Sequence, residues 1–365
     1  MRRRPDVEAP NLFAVDAADR LILDTAAEAL SNAQPGTVVV IGDAFGALTL
    51  GSIVGFGAED VRVHQDPLTG EAALDNNARP SGLDDRYRHC AFDRALLEGA
   101  QTVLLRLPRG LAELGEIADA VARFADPAVQ VFAGGRDKHI TPAMNDVLGQ
   151  SFHAVQAGRG RQKSRVLTVS GPRELGATEY PVSSSIPELN LTVIAHGAVF
   201  SGAKLDLGTR YLLEFLPRMK ADASNAMDLG CGTGILAVEL ARARPGLVVH
   251  ASDQSAAAVA SARATARAND VEIAVTRDDA MASVAAASLD LIVCNPPFHV
   301  GAAVHTGAAE KLFAAAGRVL GPGGEMWTVY NTHLNYRVAL AQAVGPTNLI
   351  GQNGKFTVAR SRRAD

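Results

Sequence analysis

The sequence has few cysteines, three among 365 residues: Cys90, Cys231 and Cys294. They lie far apart, are odd in number, and form no CxxC or Cys/His spacing of the kind that binds metals. Such spacing supports neither a disulfide framework nor a zinc site, so we expect no metal and no structural disulfide. A reducing, cytoplasmic environment fits this chain best.

The sequence also lacks a hydrophobic run long enough to span a membrane. Its longest apolar stretch, Ala44 to Ala58, is rich in glycine and about 15 residues long, whereas a transmembrane helix needs roughly 20. The basic start, Met1 to Arg4, is followed by Pro5, Asp6 and Glu8, where a signal peptide would need its apolar segment. We therefore expect neither membrane insertion nor export.

Composition and charge describe a globular chain without an overall affinity for polyanions. With 47% hydrophobic and 20% charged residues the chain is expected to fold, and its length predicts two domains rather than one. The net charge is −4, so a polyanion would have to bind at local patches. The candidates are the run from Arg159 to Arg165 and the C-terminal Arg360, Arg362 and Arg363, although such runs are usually solvated loops or tails.

Short apolar runs alternate with longer helical segments in both halves of the chain, which predicts α/β architecture with parallel sheets flanked by helices. The predicted strands of the second half are Ala226 to Leu229, Leu247 to Ser252, Val271 to Thr276, Leu289 to Cys294 and Glu325 to Tyr330. Those of the first half are Thr37 to Ile41, Val61 to His64 and Thr102 to Leu107. A crossover helix is predicted between Ser255, a good N-cap, and Asn269, a good stop.

Landmark residues of the two halves share nearly one offset, which indicates a duplicated domain. The pairs are Gly42 with Gly230 and Pro108 with Pro296, each 188 positions apart, and Asp66 with Asp253, 187 apart. Residues from Gly171 to Asn190, rich in Pro, Ser, Gly and Glu, are predicted to be the linker. The predicted domains are therefore residues 1–180 and residues 181–365.

A glycine-rich turn follows the first predicted strand of the second half. Gly230, Gly232 and Gly234 allow a tight turn and let a ligand approach where a Cβ would collide. Ile235 stands where a dinucleotide fingerprint needs its third glycine, which argues against NAD and FAD. The preceding Asp228 favours a cofactor that has an ammonium group and no pyrophosphate.

Acidic side chains follow the next two predicted strands. Asp253 is placed to accept both ribose hydroxyls, and Asp279 is placed to meet an adenine amino group. Each acid alone is more often a helix cap or a solvated loop residue. Together, at successive strand ends where open α/β sheets bind ligands, they predict a site for S-adenosyl-L-methionine.

The segment Asn295 to His299, with the sequence NPPFH, follows the fourth predicted strand of the second half. NPP alone could be a strand-ending turn, but with the glycine turn it resembles the [DNS]PP[YF] signature of class I methyltransferases that modify planar nitrogens. The Asn295 side-chain oxygen and the Pro296 carbonyl would accept the two N–H groups of the target, and Phe298 would stack on its base. We expect no catalytic role for His299 or His305.

With these motifs the chain resembles the bacterial ribosomal RNA guanine-N2 methyltransferases of the small-subunit methyltransferase C and large-subunit methyltransferase G type. The segments that carry the resemblance, between about His196 and Arg363, are His196 to Ser201, Leu205 to Thr209, Asp228 to Gly234, the NPPFH segment and Gly354 to Val358. The resemblance implies two tandem Rossmann-like methyltransferase domains, the N-terminal one degenerate. It also implies Asp206 and Gly208 at the edge of the cofactor, and ribosomal RNA or a ribosomal subunit as partner of a monomer.

The offset supports the degeneracy independently. It matches Gly232 with Ala44, Thr233 with Phe45 and Asn295 with Leu107. Phe45 would fill space that a cofactor needs, and Leu107 cannot accept a hydrogen bond. The first half is therefore predicted to be chemically silent and to position RNA, with the run from Arg159 to Arg165 on phosphates.

Two other functions agree with the same motifs. Enzymes with the [DNS]PP[YF] signature also methylate glutamine side chains of proteins, adenine N6 and cytosine N4. Alternatively, two methyltransferase-like domains could form a non-catalytic RNA-binding factor for ribosome assembly. Asp228, Gly230, Gly232 and Asn295 argue against that last interpretation because all four are intact.

Overall fold

The structure, a computed structural model, describes residues 1–6, 8, 12–297 and 307–364. The chain divides into two compact units, Met1–Tyr180 and Pro181–Asp365. Within the described ranges, every helix is too short or too polar to cross a bilayer.

The first unit is a seven-stranded sheet with helices on both faces. Its strands are β1 (Val38–Ile41), β2 (Val61–His64), β3 (Tyr87–His89), β4 (Thr102–Arg106), β5 (Gln130–Arg136), β6 (Phe152–Ala157) and β7 (Ser164–Pro172). Its helices are α1 (Ala17–Thr25), α2 (Ala27–Ser31), α3 (Ala47–Phe56), α4 (Leu68–Ala78), α5 (Arg94–Leu97), α6 (Leu111–Phe124) and α7 (Pro142–Ser151). The strand order is β3-β2-β1-β4-β5-β7-β6, and β7 runs antiparallel to the other six strands.

Strand β1 explains why this sheet is covered on both faces. All four of its residues are buried. Val38 and Val40 belong to one hydrophobic cluster and Val39 to another, because successive side chains point to opposite faces of a sheet. A central parallel strand with apolar side chains on both faces has to be buried between helical layers, as it is here.

The second unit repeats this sheet after a short hairpin. Its strands are β8 (Val182–Ile186), β9 (Leu191–Ala195), β10 (Asn225–Leu229), β11 (Val248–Asp253), β12 (Ala274–Arg277), β13 (Leu289–Cys294), β14 (Leu320–Asn331), β15 (Thr347–Gln352) and β16 (Phe356–Arg362). Its helices are α8 (Leu207–Leu213), α9 (Ile235–Ala243), α10 (Ala256–Ala268), α11 (Gly307–Val319) and α12 (Arg337–Ala343). The sheet order is β12-β11-β10-β13-β14-β16-β15, while β8 and β9 pair with each other.

The two sheets have the same strand order, so the predicted fold class of two tandem Rossmann-like units is confirmed. The predicted crossover helix is α10, whose N-cap Ser255 accepts a hydrogen bond from the Ala258 N–H at 3.0 Å and whose C-cap is Asn269.

Two predicted boundaries differ from the structure. The strand predicted from Val271 begins only at Ala274, because Val271 and Ile273 pack against a separate cluster around β8 and β9. The predicted linker from Gly171 to Asn190 contains β8. Strand β8 is mostly exposed and contains three serines, so it has no hydrophobic signal; its pairing with β9 holds it in place.

One landmark pair also needs correction. Val40 lies opposite Val63 in the first sheet, and Asp228 lies opposite Ala251 in the second. Counting two residues onward from Val63 and Ala251 makes Gln65, not Asp66, the equivalent of Asp253. The offset of 188 therefore holds for this pair too, and the first unit has a neutral amide at the position of the acid.

Candidate active site of the second unit

The candidate site lies at the carboxyl ends of the central strands of the second sheet. The strand order reverses between β10 and β13, the place where open α/β sheets form a ligand-binding crevice. The glycine turn follows β10, Asp253 ends β11, and Asn295 directly follows β13. The structure thus brings the main predicted site residues to one edge of one sheet.

The glycine turn leaves open space at its first two glycines. Gly230, Gly232 and Gly234 have φ values of +74°, +52° and +78°, in the left-handed region that disfavours other residues. A Cβ on Gly230 or Gly232 would meet no described atom within 4 Å. A Cβ on Gly234 would lie 2.9 Å from the Ala262 Cβ, so this third glycine serves the packing of the turn against α10.

Asp228 is fully buried beneath the turn. Its Oδ2 accepts the Ala237 N–H at 3.1 Å, which ties β10 to the first turn of α9. Its Oδ1 is buried and accepts no hydrogen bond from the described part of the chain. Burial raises the pKa of Asp228 to about 7. A buried carboxylate with one oxygen that has no described partner suits a cationic ligand group, and the ammonium partner expected for Asp228 stays a prediction.

Asp253 and Asp279 both have partners within the protein. Asp253 Oδ2 accepts the Gly232 N–H at 3.1 Å and Oδ1 accepts the Ser255 N–H at 3.0 Å, so this acid braces the glycine turn against the start of α10. The predicted contact of Asp253 with the ribose hydroxyls stays a prediction. Asp279 forms an ion pair with Lys311 of α11. The predicted contact of Asp279 with an adenine amino group stays a prediction.

Asn295 is held by α8 so that its oxygen is left unused. Its Nδ2 donates to Asp206 Oδ2 at 3.0 Å and to Thr209 Oγ1 at 3.1 Å. Its Oδ1 is buried and has no hydrogen-bond partner among the residues that the structure describes. Two acceptors on the nitrogen side fix which way the amide points; that its oxygen accepts a target N–H stays a prediction.

Asp206 and Gly208 lie beside this amide at the start of α8. Asp206 is the N-cap, and its Oδ2 also accepts the Gly208 and Thr209 N–H groups at 2.8 and 3.1 Å. A Cβ on Gly208 would lie 3.0 Å from Asp206 Oδ2 and 3.4 Å from Asn295 Nδ2. The family resemblance placed Asp206 and Gly208 at the edge of the cofactor, but the hydrogen bonds of Asn295 to Asp206 and Thr209 were not predicted.

The remaining predicted site residues give a mixed result. Pro296 is buried next to Asn295. Phe298, His299 and His305 lie outside the described residues. Burial raises the pKa of the Cys231 and Cys294 thiols well above the ordinary range, so neither is a thiolate nucleophile. Among the described residues, no three His, Cys, Asp or Glu side chains are grouped so that they could hold a metal ion.

The fold and this site define a two-unit methyltransferase of the class I type. A family model described as the methyltransferase small domain matches residues 190–360, and one described as the RLMG N-terminal domain matches residues 1–173. The chain belongs to the ribosomal RNA large subunit methyltransferase G family. The protein of that name from Pseudomonas paraeruginosa is 33% identical over 98% of this chain and 96% of its own length. The one from Shewanella amazonensis is 30% identical over 99% and 95%.

A solved structure shows the same two-unit fold. It is the T. thermophilus 16S rRNA N2 G1207 methyltransferase RsmC in complex with AdoMet and guanosine. The TM-score is 0.74 at 22% sequence identity, over 95% of this chain and 92% of that one. At this identity the similarity establishes the fold.

Proposed function

We propose that the protein transfers a methyl group from S-adenosyl-L-methionine to the exocyclic N2 of a guanine in ribosomal RNA. The observation that carries the proposal is the buried Oδ1 of Asn295, which has no partner in the described part of the chain and is aimed by Asp206 and Thr209. The family and the RsmC fold agree with it, since relatives are named for ribosomal RNA methylation and the RsmC structure contains AdoMet and guanosine.

Asn295 would do the chemical work by orienting the target amine. The N2 lone pair of guanine is delocalised into the ring, so the amine is a poor nucleophile until it is held in the right geometry. Asn295 Oδ1 and the Pro296 carbonyl would accept its two N–H groups and direct the lone pair out of the base plane. The amide cannot rotate without losing its bonds to Asp206 and Thr209, so the acceptor is in position before the base arrives.

The residues around the glycine turn fit S-adenosylmethionine, which supplies an already activated methyl group when bound. Gly230 and Gly232 leave room for it, and Asp228 Oδ1 is a buried acceptor to which no described residue donates. Asp253 would hold the ribose and Asp279 the adenine edge, with Gly208 and Asp206 bordering the site. Phe298 would stack on the target base. An activated methyl donor requires no strong general base before transfer, which suits a site without a catalytic histidine or cysteine pair.

The second unit carries all of these side chains, so one copy of the chain is sufficient and we expect a monomer. The proposed substrate is cytoplasmic in bacteria. A guanine in folded RNA has to be unstacked to reach a crevice at the strand ends, as in other base-modifying enzymes.

Incubation with tritiated S-adenosylmethionine tests the activity. Ribosomal RNA and ribosomal subunits from cells that lack the encoding gene should become labelled, and nuclease digestion should place the label on N2-methylguanine. Label confined to a protein glutamine, to adenine N6 or to cytosine N4 would replace the proposed substrate. Failure to bind S-adenosylmethionine or S-adenosylhomocysteine in calorimetry would favour the non-catalytic assembly factor instead.

We propose further that the first unit positions RNA through the tip of its β6–β7 hairpin. Arg161 pairs with Asp24, and Arg165 pairs with Asp137, so two charges of the predicted basic run are already neutralised. Arg159 and Lys163 are exposed and form no ion pair with the described residues. They are therefore the cations of this hairpin that remain for phosphates.

Changing Arg159 and Lys163 together to Glu should weaken association with ribosomal RNA and flatten its salt dependence. Two phosphate contacts correspond to a change of about 1.5 to 2 in the slope of log affinity against log salt. Filter binding across a salt series measures it. The matched control is Arg86→Glu with Arg94→Glu, a half-buried and an exposed cation of the same unit that already pair with Glu59 and Glu98. Equal slopes for the hairpin variant and the wild type would show that the hairpin does not touch RNA.

A further inference from the structure

Asn331 offers a second buried acceptor at the same edge of the sheet. It is the last residue of β14, the strand that pairs with β13. Its Oδ1 is buried and accepts no hydrogen bond from any described residue, as is true of Asn295 Oδ1. A buried polar atom without a partner is costly, so such an atom at a ligand-binding edge indicates a partner that arrives with the ligand.

Both asparagines lie on the face of the sheet that α8 covers. Val293 of β13 and Val329 of β14 belong to the cluster that contains Leu212 of α8, and side chains two positions apart share a face. Asn295 is two positions after Val293, and Asn331 is two positions after Val329. The two asparagine side chains therefore point to the same side of the sheet.

Phe356 and Gly208 link the two positions. Phe356 of β16 pairs directly with Asn331. A Cβ on Gly208 would lie 3.4 Å from Phe356 Cε1 and 3.4 Å from Asn295 Nδ2. Cys294 lies opposite Thr328, which puts Asn331 two residues further along its strand than Asn295. With neighbouring strands about 5 Å apart and a rise of about 3.3 Å per residue, their Cα atoms are about 8 Å apart, a gap that two amide side chains can close around a base edge.

We propose that Asn331 Oδ1 accepts the N1–H of the target guanine and thereby selects guanine. This inference rests on the proposed function, in which Asn295 accepts an N2–H. Guanine presents N1–H and N2–H side by side, so two neighbouring acceptors match its Watson–Crick edge. Adenine has a bare N1 there, which would face the Asn331 oxygen with no hydrogen between them. A site built around a substrate N–H rejects a base that lacks it.

The test compares two nucleosides that share the 2-amino group. Guanosine has an N1–H, whereas 2-aminopurine riboside has a bare N1. Isothermal titration of the protein saturated with S-adenosylhomocysteine should show a preference of about tenfold or more for guanosine in the wild type, the effect of one buried hydrogen bond. Asn331→Ala should reduce that preference to near one. Asn331→Asp keeps an acceptor and should restore it.

The control is Asn348→Ala, an exposed asparagine on β15 of the same sheet, which should bind both nucleosides as the wild type does. Unchanged affinity for S-adenosylhomocysteine would show that the variants are folded. No binding of guanosine by the wild type, or an equal preference in the wild type and Asn331→Ala, would overturn the assignment. Failure of the proposed function is separate, since it would appear as no methyl transfer by the wild type to ribosomal RNA.

Discussion

The glycine turns of the two units have nearly the same backbone but not the same chemistry. Equivalent residues share the left-handed region: Gly42 and Gly230 have φ values of +75° and +74°, Ala44 and Gly232 of +60° and +52°, and Gly46 and Gly234 of +94° and +78°. In both turns the third glycine packs closely against a helix, on Leu74 of α4 or on Ala262 of α10. The conformation has been kept because the strand-to-helix connection requires it.

The space and the acceptors differ between the two turns. A Cβ on Gly42 would lie 3.4 Å from the Arg106 carbonyl oxygen, whereas the space in front of Gly230 is open. The Phe45 ring in the first turn lies under the Arg3 guanidinium, 4.5 Å from its centroid. At the first turn the chain itself therefore lies over Phe45, while Ala44 stays exposed.

Acidic side chains show the same contrast. Asp43 of the first turn is buried, and its two oxygens accept the Leu48 and Thr49 N–H groups at 2.7 and 2.8 Å. Thr49 is the equivalent of Ala237, so Asp43 makes the structural bond that Asp228 makes in the second unit, and each of its oxygens already accepts a backbone N–H. The backbone conformation that the two turns share thus reflects a requirement of folding. The acceptor without a described partner, Asp228 Oδ1, occurs in the second turn and indicates a ligand there.

The most direct test of this difference between the units is to change Asn295, which follows β13, and its equivalent Leu107, which follows β4. Asn295→Ala should lower methyl transfer to ribosomal RNA by about a hundredfold to a thousandfold, the usual effect of removing one preorganised group. The affinity for S-adenosylhomocysteine should change little because the acceptor acts on the target amine. The measurement is single-turnover transfer of a tritiated methyl group.

Leu107→Asn is the matched control, since it puts the catalytic residue type at the equivalent position of the first unit. It should neither raise transfer nor create a second cofactor site, because Arg3 lies over Phe45 of the first turn and Gln65 replaces the acid. Normal turnover in Asn295→Ala, or two bound S-adenosylhomocysteine molecules in Leu107→Asn, would contradict the division of roles.

A feature of the fold or of the site could be predicted from the sequence when it depends on residues that are close together in the chain. The glycine turn, the caps of α10 and the strand before Asn295 were predicted because each depends on a short stretch of chain. Asp206 and Asn295 are 89 positions apart, and nothing in either segment indicates their hydrogen bond. Asn331 was missed for the same reason, since only the pairing of β13 with β14 and of β14 with β16 brings it to the site. Asp66 was chosen over Gln65 because an acid was expected there.

A second prediction concerns Asp228, whose buried Oδ1 has no hydrogen-bond partner among the described residues. The free protein holds Asp228 with a pKa of about 7, above its usual value because of burial, so this carboxyl is protonated below pH 7. An ammonium group needs the ionised form and would lower the pKa of Asp228 on binding. The affinity for S-adenosylhomocysteine should therefore rise with pH up to about 7, by at most about tenfold per pH unit, and level off above it.

Asp228→Asn should remove this part of the pH dependence, because the amide does not titrate and its oxygen can still accept the Ala237 N–H. Calorimetry of the wild type and of Asp228→Asn at pH 5.5, 6.5 and 7.5 separates the titration of Asp228 from that of the ligand, because the ligand titrates in the same way with both proteins. Parallel curves would mean that Asp228 is only the structural counterpart of Asp43.

The smallest expected effect concerns the middle one of the three left-handed residues in each turn, Ala44 or Gly232. Ala44 has a φ of +60°, and glycine adopts this conformation without the steric cost of a Cβ. Ala44→Gly should therefore stabilise the first unit by about 0.5 to 1 kcal/mol, because relief of that strain outweighs the entropy that glycine adds to the unfolded chain.

Gly232→Ala should destabilise the second unit by a similar amount, and it should also weaken S-adenosylhomocysteine binding because its Cβ would enter open space. Denaturant unfolding measures the stability changes of Ala44→Gly and Gly232→Ala, and calorimetry measures the affinity of Gly232→Ala for S-adenosylhomocysteine. If Gly232→Ala lost stability but bound the cofactor normally, the open space before that glycine would not be where the ligand lies, and the two turns would differ in packing alone.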